Sequence, residues 1–130
     1  MSKNNSLAKI LFVDDEEALT ALGEDMLTEE GYEVVCASSG RRALELFTQH
    51  NQQFDLVVTD ETMPGMSGIE LAQQLFELAP DLPVVLCSGH VLSMEDEGIA
   101  QTNIKRVLAK TDVFLTLPQL IKALLSTSSS

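Results

Sequence analysis

The segment from Phe54 to Glu70 constrains the fold of this chain more than any other. It opens with three consecutive apolar residues, Leu56–Val58, a run that is typical of a strand buried on both faces. Asp60 follows where such a strand ends. Met63-Pro64-Gly65 then interrupts regular structure, because proline has no N–H donor and glycine adopts unusual dihedral angles. The segment therefore predicts a buried strand that delivers one carboxylate to a loop.

A helix is predicted directly after this loop. Ser67 and Glu70 have the Ser-x-x-Glu spacing of a capping box, so we expect the helix to begin just past Gly68. In open α/β sheets, ligands bind at the carboxyl ends of the strands, which is where Asp60 is placed. A single acid after a strand is also common as a helix cap or a solvated loop residue, so Asp60 alone does not define a site.

Strand-like and helix-like segments alternate five times along the chain. Alternation of this kind predicts a five-stranded parallel sheet, doubly wound as (βα)5 with helices on both faces and right-handed crossovers. The apolar runs that predict the strands are Lys9–Val13, Glu33–Ala37, Leu56–Val58, Val84–Cys87 and Arg106–Ala109.

The helices between these strands are predicted from apolar spacing and from their end signals. In the first, Leu19, Leu22 and Met26 have the spacing of one buried face, and Gly31 is expected to end it. Pro118 marks the start of the last helix, with Thr116 before it. The polar segment 93–103 carries the weakest helical pattern.

Length and composition indicate one globular domain. The chain has 130 residues, enough for a real core, which we place at residues 8–125 between flexible tails at 1–6 and 126–130.

A formal net charge of −12 argues against direct nucleic-acid binding or binding to an anionic membrane surface. The polar N-terminus is unlike a signal peptide, and no apolar run approaches membrane-spanning length. Cys36 and Cys87 fall in strand-like runs and are expected to be buried thiols, which favours a cytoplasmic location.

Polar side chains follow four of the five predicted strands. Asp14 and Asp15 follow the first, Asp60 the third, Ser88 the fourth and Lys110 the fifth. The carboxyl ends of parallel strands share one edge, so these groups can meet there. Carboxylates in close quarters repel unless a cation lies between them, and all-oxygen ligands suit Mg²⁺. A carboxylate at such a site can also act as a nucleophile toward phosphorus.

These residues together resemble one protein family, the receiver domains of two-component response regulators, over nearly the whole chain from Lys9 to Leu125. The motifs that carry the resemblance are Asp14-Asp15, Asp60-x-x-Met63-Pro64-Gly65-x-x-Gly68, Ser88-Gly89 and Lys110. The resemblance implies a flavodoxin-like three-layer sandwich with Asp60 as the phosphoacceptor. It also implies that Asp15, Asp60 and the backbone carbonyl of Thr62 bind Mg²⁺ (or Mn²⁺), with Asp14 acting through water, while Ser88 and Lys110 contact the phosphoryl group.

The same resemblance implies a signalling role. The expected function is to receive a phosphoryl group from a phosphohistidine, carried by a histidine kinase or a histidine phosphotransfer domain, in a phosphorelay. The domain is not expected to be an enzyme, apart from accepting the phosphoryl group and slowly dephosphorylating itself. It is expected to be a monomer or a weak dimer. The run from Leu86 to His90 is similar to receivers of hybrid sensor kinases, so both a stand-alone receiver and a piece of a longer chain remain open.

Two positions depart from the family pattern. The family usually follows its lysine with a proline in a cis peptide, whereas Thr111 follows Lys110; a cis bond without proline costs about 3–4 kcal/mol, so we expect it to be trans. The family also tends to have an aromatic switch residue three positions before the lysine, and Val107 stands there. Phosphate chemistry is therefore expected to be intact, while output coupling through position 107 is in doubt.

Two other functions, a phosphohydrolase and a flavin carrier, fit parts of the sequence less well. A phosphohydrolase with an aspartate nucleophile needs a second acid two residues after the nucleophile, as its general acid. The residue two positions after Asp60 is Thr62, which weakens this interpretation, although the residue two positions after Asp14 is Glu16. A flavin carrier on the same fold is disfavoured, because the acidic first loop would repel the cofactor's phosphate. His90 is interpreted as a loop imidazole rather than a catalytic base.

Overall fold

A computed structural model describes residues 8–89 and 97–128 of the chain. Its strands form one parallel sheet in the order β2-β1-β3-β4-β5. The strands are β1 (Lys9–Val13), β2 (Glu33–Ala37), β3 (Leu56–Asp60), β4 (Val84–Ser88) and β5 (Ile104–Ala109). The helices are α1 (Glu17–Glu29), α2 (Gly40–Gln49), α3 (Gly68–Leu78), α4 (Glu97–Ala100) and α5 (Val113–Ser128). The predicted (βα)5 alternation is confirmed.

Two apolar cores lie on opposite faces of the sheet because alternate strand residues point to opposite sides. On one face, Leu11 and Val57 belong to the cluster that includes residues of α2 and α3. On the other, Phe12 and Val58 belong to the cluster that includes residues of α1 and α5. Every residue of β3 and β4 is buried, as expected of central strands covered on both faces. The predicted three-layer sandwich is therefore confirmed.

Helix α1 packs through a face that only partly matches the predicted one, because Met26 packs against the core and Leu19 is half-buried, whereas Leu22 is not. Leu22 is 51% exposed, and the buried residues of the helix are Gly23 and Leu27. A Cβ on residue 23 would lie 2.6 Å from Cζ of Phe12, so the absence of a side chain lets the helix rest directly on that ring. The prediction was wrong for Leu22, because this close approach decides the rotation of the helix. Gly31, by contrast, has a φ of 100° and ends the helix as predicted.

Helix α5 begins earlier and ends later than predicted. It begins at Val113, with the carbonyl of Asp112 accepting hydrogen bonds from Leu115 and Thr116, so Pro118 lies inside the helix rather than at its start. It continues through Ser128, three residues into the expected tail. The cap signal at Thr116 was misleading because Asp112 is already in place to accept the first helical bonds.

The segment between β4 and β5 is described only in part. Residues 97–100 form α4, a single turn, while His90 and residues 93–96 of the predicted helix at 93–103 lie outside the described residues. Strand β5 begins at Ile104, two residues before the predicted start, and its pairing with β4 is irregular between Val84 and Val85. Within the described part of the chain, none of the helices is long and apolar enough to span a membrane.

Both cysteines are free thiols, as expected. Cys36 is half-buried, and its burial together with the charge of Glu24 raises the pKa of the thiol to about 11. Cys87 is buried in the α1 and α5 face of the sheet. Neither thiol is therefore ionised at neutral pH.

Candidate functional site

The order of the strands fixes where a ligand can enter. From β1 the chain passes to β2 on one side and later returns to β3 on the other. This reversal opens a crevice beyond the carboxyl ends of β1 and β3, which is the usual ligand site of open α/β sheets. Asp14, just beyond β1, and Asp60, the last residue of β3, border this crevice.

Three carboxylates meet at the crevice. Asp14, Asp15 and Asp60 each place one carboxylate oxygen within 4.8 Å of the others. Asp60 is only 2% exposed and Asp14 6%, whereas Asp15 is exposed. The sequence prediction that these three acids converge is confirmed.

Asp14 is held in place by its backbone and by a neighbouring amide. Its N–H donates to the carbonyl of Ala37 at 3.1 Å, and its Oδ1 accepts from the N–H of Glu16 at 2.9 Å. Burial raises the pKa of Asp14; the Glu16 amide opposes this, while the charge of Asp60 adds to it, so the pKa lies above its ordinary value. The site therefore holds buried negative charge at a cost.

Lys110 neutralises part of this charge. Its Nζ lies 3.1 Å from Oδ1 of Asp60, and a third of its side chain remains exposed. Burial lowers the pKa of Lys110, but pairing with Asp60 and the charge of Asp14 raise it by more, so the net direction is upward. Oδ2 of Asp60 accepts no hydrogen bond from the described residues. A buried carboxylate oxygen without a donor is costly unless a cation satisfies it.

The residues present therefore fit a divalent cation. A cluster of three carboxylates with one buried oxygen lacking a donor is a hard, anionic, all-oxygen donor set, which Mg²⁺ prefers. Lys110 alone supplies one positive charge against three negative ones. A bound dication would offset the remaining repulsion.

Backbone hydrogen bonds tie the ends of β3, β4 and β5 to one another. The N–H of Lys110 donates to the carbonyl of Ser88 at 2.9 Å, and the N–H of Glu61 donates to the carbonyl of Cys87 at 2.8 Å. Ser88 is 1% exposed at the end of β4, which places it on the same sheet edge as Asp60. The described residues contain no cis peptide bond, so the bond from Lys110 to Thr111 is trans, as predicted.

The loop from Glu61 to Ser67, called the Asp60 loop below, leads from β3 to α3. Gly65 has a φ of 85°, and the N–H of Met66 donates to the carbonyl of Pro64 at 3.0 Å, which makes a tight γ-turn of the rarer, positive-φ kind. Thr62 is exposed, and its hydroxyl donates to Oε1 of Glu61 at 2.8 Å.

The predicted capping box follows this loop. The N–H of Glu70 donates to Oγ of Ser67 at 3.1 Å, and the N–H of Ser67 donates to Oε1 of Glu70 at 3.0 Å. Helix α3 begins at Gly68 itself, one residue before the predicted start.

Two neighbours of Asp60 were missed by the sequence reasoning. A Cβ on Gly68 would collide with the backbone oxygen of Asp60, so only glycine allows α3 to begin so close to the strand end. Cys87 pairs with Asp60 in the sheet register, and burial together with the charges of Asp60 and Asp14 raises the pKa of its thiol to about 12. The spacing of Gly68 from Asp60 was noted as a motif, but its steric reason appears only in three dimensions.

Comparison with known proteins places this arrangement in one family. The family model described as "Response regulator receiver domain" matches residues 10–124. Among curated proteins, an uncharacterized transcriptional regulatory protein of Bacillus subtilis, YrkP, is 36% identical over 111 residues, covering 85% of this chain and 43% of the relative. The chain spans between 9% and 43% of the length of curated relatives that it matches, YrkP among them.

Solved structures agree with this assignment. The response regulator protein TrrA from Thermotoga maritima, in complex with Mg²⁺-BeF, is 32% identical, with a TM-score of 0.80 over 91% of this chain and 99% of that chain. TrrA in complex with the histidine kinase ThkA is 33% identical, with a TM-score of 0.79 over 92% of this chain and 99% of that chain.

Proposed function

This chain belongs to the family of response regulator receiver domains, and from this premise we propose that Asp60 accepts a phosphoryl group from a phosphohistidine in a reaction that depends on Mg²⁺. The observation that carries the proposal is the setting of Asp60. It is a buried carboxylate with one oxygen paired to Lys110 and the other without a hydrogen-bond donor among the described residues, next to Asp14 and Asp15. The complex of TrrA with Mg²⁺-BeF supports it.

The chemistry assigns a role to each group. A carboxylate oxygen of Asp60 attacks phosphorus, the new O–P bond forms as the donor's P–N bond breaks, and that electron pair remains on the imidazole nitrogen. Asp15, Asp60 and the Thr62 carbonyl, with Asp14 acting through water, would hold Mg²⁺, which would supply positive charge for the phosphoryl oxygens. Lys110 adds an ammonium and Ser88 a hydroxyl on the same side.

Labelling by a small phosphodonor tests the acceptor. Wild-type protein incubated with acetyl phosphate and Mg²⁺ is expected to gain the mass of one phosphoryl group, and Asp60→Asn is expected to gain none, because an amide is isosteric but not nucleophilic. Asp25→Asn, on the exposed part of α1, is the matched control and should label normally. Label that persists in Asp60→Asn and maps to Asp14 or Asp15 would contradict the assignment.

Metal dependence is a separate test. We expect thermal stability to rise with millimolar Mg²⁺, because an ion that binds only the folded state stabilises it, and Mn²⁺ to substitute. Asp15→Asn should weaken this response, since Asp15 is the exposed carboxylate of the cluster. Labelling that proceeds equally well in a chelator would show that the site works without a divalent ion.

The donor is proposed to be a histidine kinase or a histidine phosphotransfer domain in the cytoplasm. The complex of TrrA with the kinase ThkA supports a partner of this class. Transfer from a phosphorylated histidine domain, followed by mass spectrometry, checks it. A hydrolase with an aspartate nucleophile is not favoured, because the family is a signalling domain and Thr62 stands where the second acid would be needed.

Output is proposed to bypass the face formed by β4 and β5. Val107 is half-buried against the core, and a β-branched side chain is stiff at its first torsion, so it does not provide the two ring positions of an aromatic switch. We expect a phosphoryl mimic to shift amide signals around Asp60, Ser88 and Lys110. Equally large shifts spread over residues 98–109 would show that coupling runs through that face despite the valine.

A further inference from the structure

Met66 joins the Asp60 loop to the first residue of α2. A Cβ built on Gly40 would lie 2.7 Å from Sδ of Met66 and 3.0 Å from both its Cβ and its Cγ. Real Cβ atoms essentially never approach another heavy atom within 3.0 Å, so the methionine lies directly on the glycine backbone. Because Cβ of Met66 takes part in the contact, rotation of the side chain alone cannot relieve a collision there.

Both sides of this contact are anchored. Gly40 is buried at the start of α2, which is fixed by Ser39, whose Oγ accepts from the N–H of Arg42 at 3.1 Å. Met66 is half-buried against the core, and Sδ lies 4.0 Å from Nε2 of Gln74 on α3. The side chain is therefore held between two helices.

The anchored methionine also fixes the loop that serves Asp60. Its N–H closes the γ-turn over Gly65, and the same loop contains Thr62, two residues after Asp60. Glycine adopts a positive φ without strain, so Gly65 does not by itself fix the path of the loop, and the contacts of Met66 help to hold it. A surface groove of about 380 Å³ lies beside the contact and is lined by Ser39, Arg41, Pro64, Gly65 and Met66. A methionine side chain displaced from Gly40 could move into this groove.

We propose that Met66 is a positioning residue for the phosphoryl-acceptor site, acting through its contact with Gly40. The contact holds the Asp60 loop in the geometry that brings the Thr62 carbonyl to the ion and keeps the approach to Asp60 open. This inference rests on the proposed function of Asp60 and adds to it a residue outside the acidic cluster. Through the same contact, a displacement of the Asp60 loop would be transmitted to the start of α2.

A double-mutant cycle tests the contact, because one variant adds volume where the other removes it. Gly40→Ala should slow labelling by acetyl phosphate roughly tenfold and raise the Mg²⁺ concentration needed for half-maximal thermal stabilisation, since a displacement of about 1 Å can cost up to about 10²-fold. Met66→Ala should also slow labelling and weaken the response to Mg²⁺, because the loop loses the side chain that holds it against Gly40. The double variant should recover part of the loss, because alanine at position 66 removes Sδ and Cγ, although it keeps the Cβ that lies 3.0 Å from the added methyl group.

Two controls separate positioning from stability. Gly23→Ala creates a comparable collision with Phe12 on the other face, so it should lose stability while its folded fraction keeps the labelling rate and the Mg²⁺ response. Met66→Leu conserves volume and should behave like wild type. Circular dichroism gives the folded fraction by which each rate is divided.

Three outcomes would overturn the inference. The first is a folded fraction of Gly40→Ala or Met66→Ala that labels and responds to Mg²⁺ like Gly23→Ala. The second is a double variant no better than Gly40→Ala. The third is a Met66→Leu variant as impaired as Met66→Ala. If wild type takes no label at Asp60, the proposed function fails by itself, while the Mg²⁺ response across the cycle still decides the role of Met66.

Discussion

Replacing Asp14 by asparagine is expected to stabilise the metal-free protein. Asp14 and Asp60 are both buried and place carboxylate oxygens within 4.8 Å of each other. Two unit charges at 4.8 Å repel by about 3.5 kcal/mol at an effective dielectric constant of 20 and by about 0.9 kcal/mol in bulk water. Lys110 offsets part of this, which leaves an expected gain of about 1–3 kcal/mol in the free energy of unfolding. Asparagine keeps the oxygen that accepts from Glu16, so the change removes charge without removing that bond.

Chemical unfolding at neutral pH without divalent ions measures this gain. In a thermal melt of a domain of this size, the same gain should appear as about 3–5 °C in Tm per kcal/mol. Asp25→Asn is the matched control: it removes the same charge from a chain of net charge −12, but at an exposed position on α1. Surface changes of this kind usually fall within about 0.5 kcal/mol.

The pH dependence follows from the direction of the pKa shift. The pKa of Asp14 is raised in the folded protein, chiefly by burial, so its ionisation destabilises the fold as the pH rises. The advantage of Asp14→Asn should therefore decrease as the pH falls and disappear below about pH 4, where the wild-type carboxyl is protonated in both states. Equal gains from the two asparagine variants, or an advantage that grows in acid, would refute the reasoning. Asp14→Asn should also reduce the stabilisation by Mg²⁺, which for wild type reaches about 1.4 kcal/mol at ten times Kd.

Three further predictions concern the surroundings of the site. Gly68→Ala should cost about 1–3 kcal/mol, because its Cβ would collide with the end of β3, whereas Gly89→Ala, whose Cβ would meet no described residue within 4 Å, should be nearly neutral; equal denaturation midpoints would contradict this. Ser67→Ala should cost about 1 kcal/mol in denaturant titrations by removing the cap of α3, and no loss would show that the cap is dispensable. In native protein at pH 8, iodoacetamide should modify Cys36 slowly and Cys87 more slowly still, since their pKa values are about 11 and about 12; rapid labelling of Cys87 by mass spectrometry would oppose this.

The sheet and the acidic cluster were predictable because the physics behind them is local. Each strand is a short apolar run that stops at a polar residue, and β1 and β2 have the predicted bounds. Parallel strands then bring their carboxyl ends together, so the meeting of Asp14, Asp15 and Asp60 follows from topology once the alternation is recognised.

What could not be predicted depends on contacts between distant segments. The rotation of α1 is decided by Gly23 against Phe12, eleven positions earlier, which no periodicity reveals. The contact of Gly40 with Met66 joins the start of α2 to the Asp60 loop, two segments that lie far apart in the sequence. The start of α5 depends on whether the helix is capped at Asp112 or at Thr116, and the spacing of apolar residues does not distinguish these two positions.

Pro118 makes α5 a helix of two parts with unequal resistance to opening. Proline has no N–H, so the carbonyl of Phe114 cannot receive the usual bond from the residue four positions on, and the first turn is joined to the rest of the helix by fewer bonds. Hydrogen exchange should therefore show the amides of Thr116 and Leu117 opening at lower free energy than those of Ile121 and the turns that follow. That first turn begins three residues after Lys110, whose own backbone N–H is bonded to Ser88 of the sheet, so the turn can open while the ammonium stays beside Asp60.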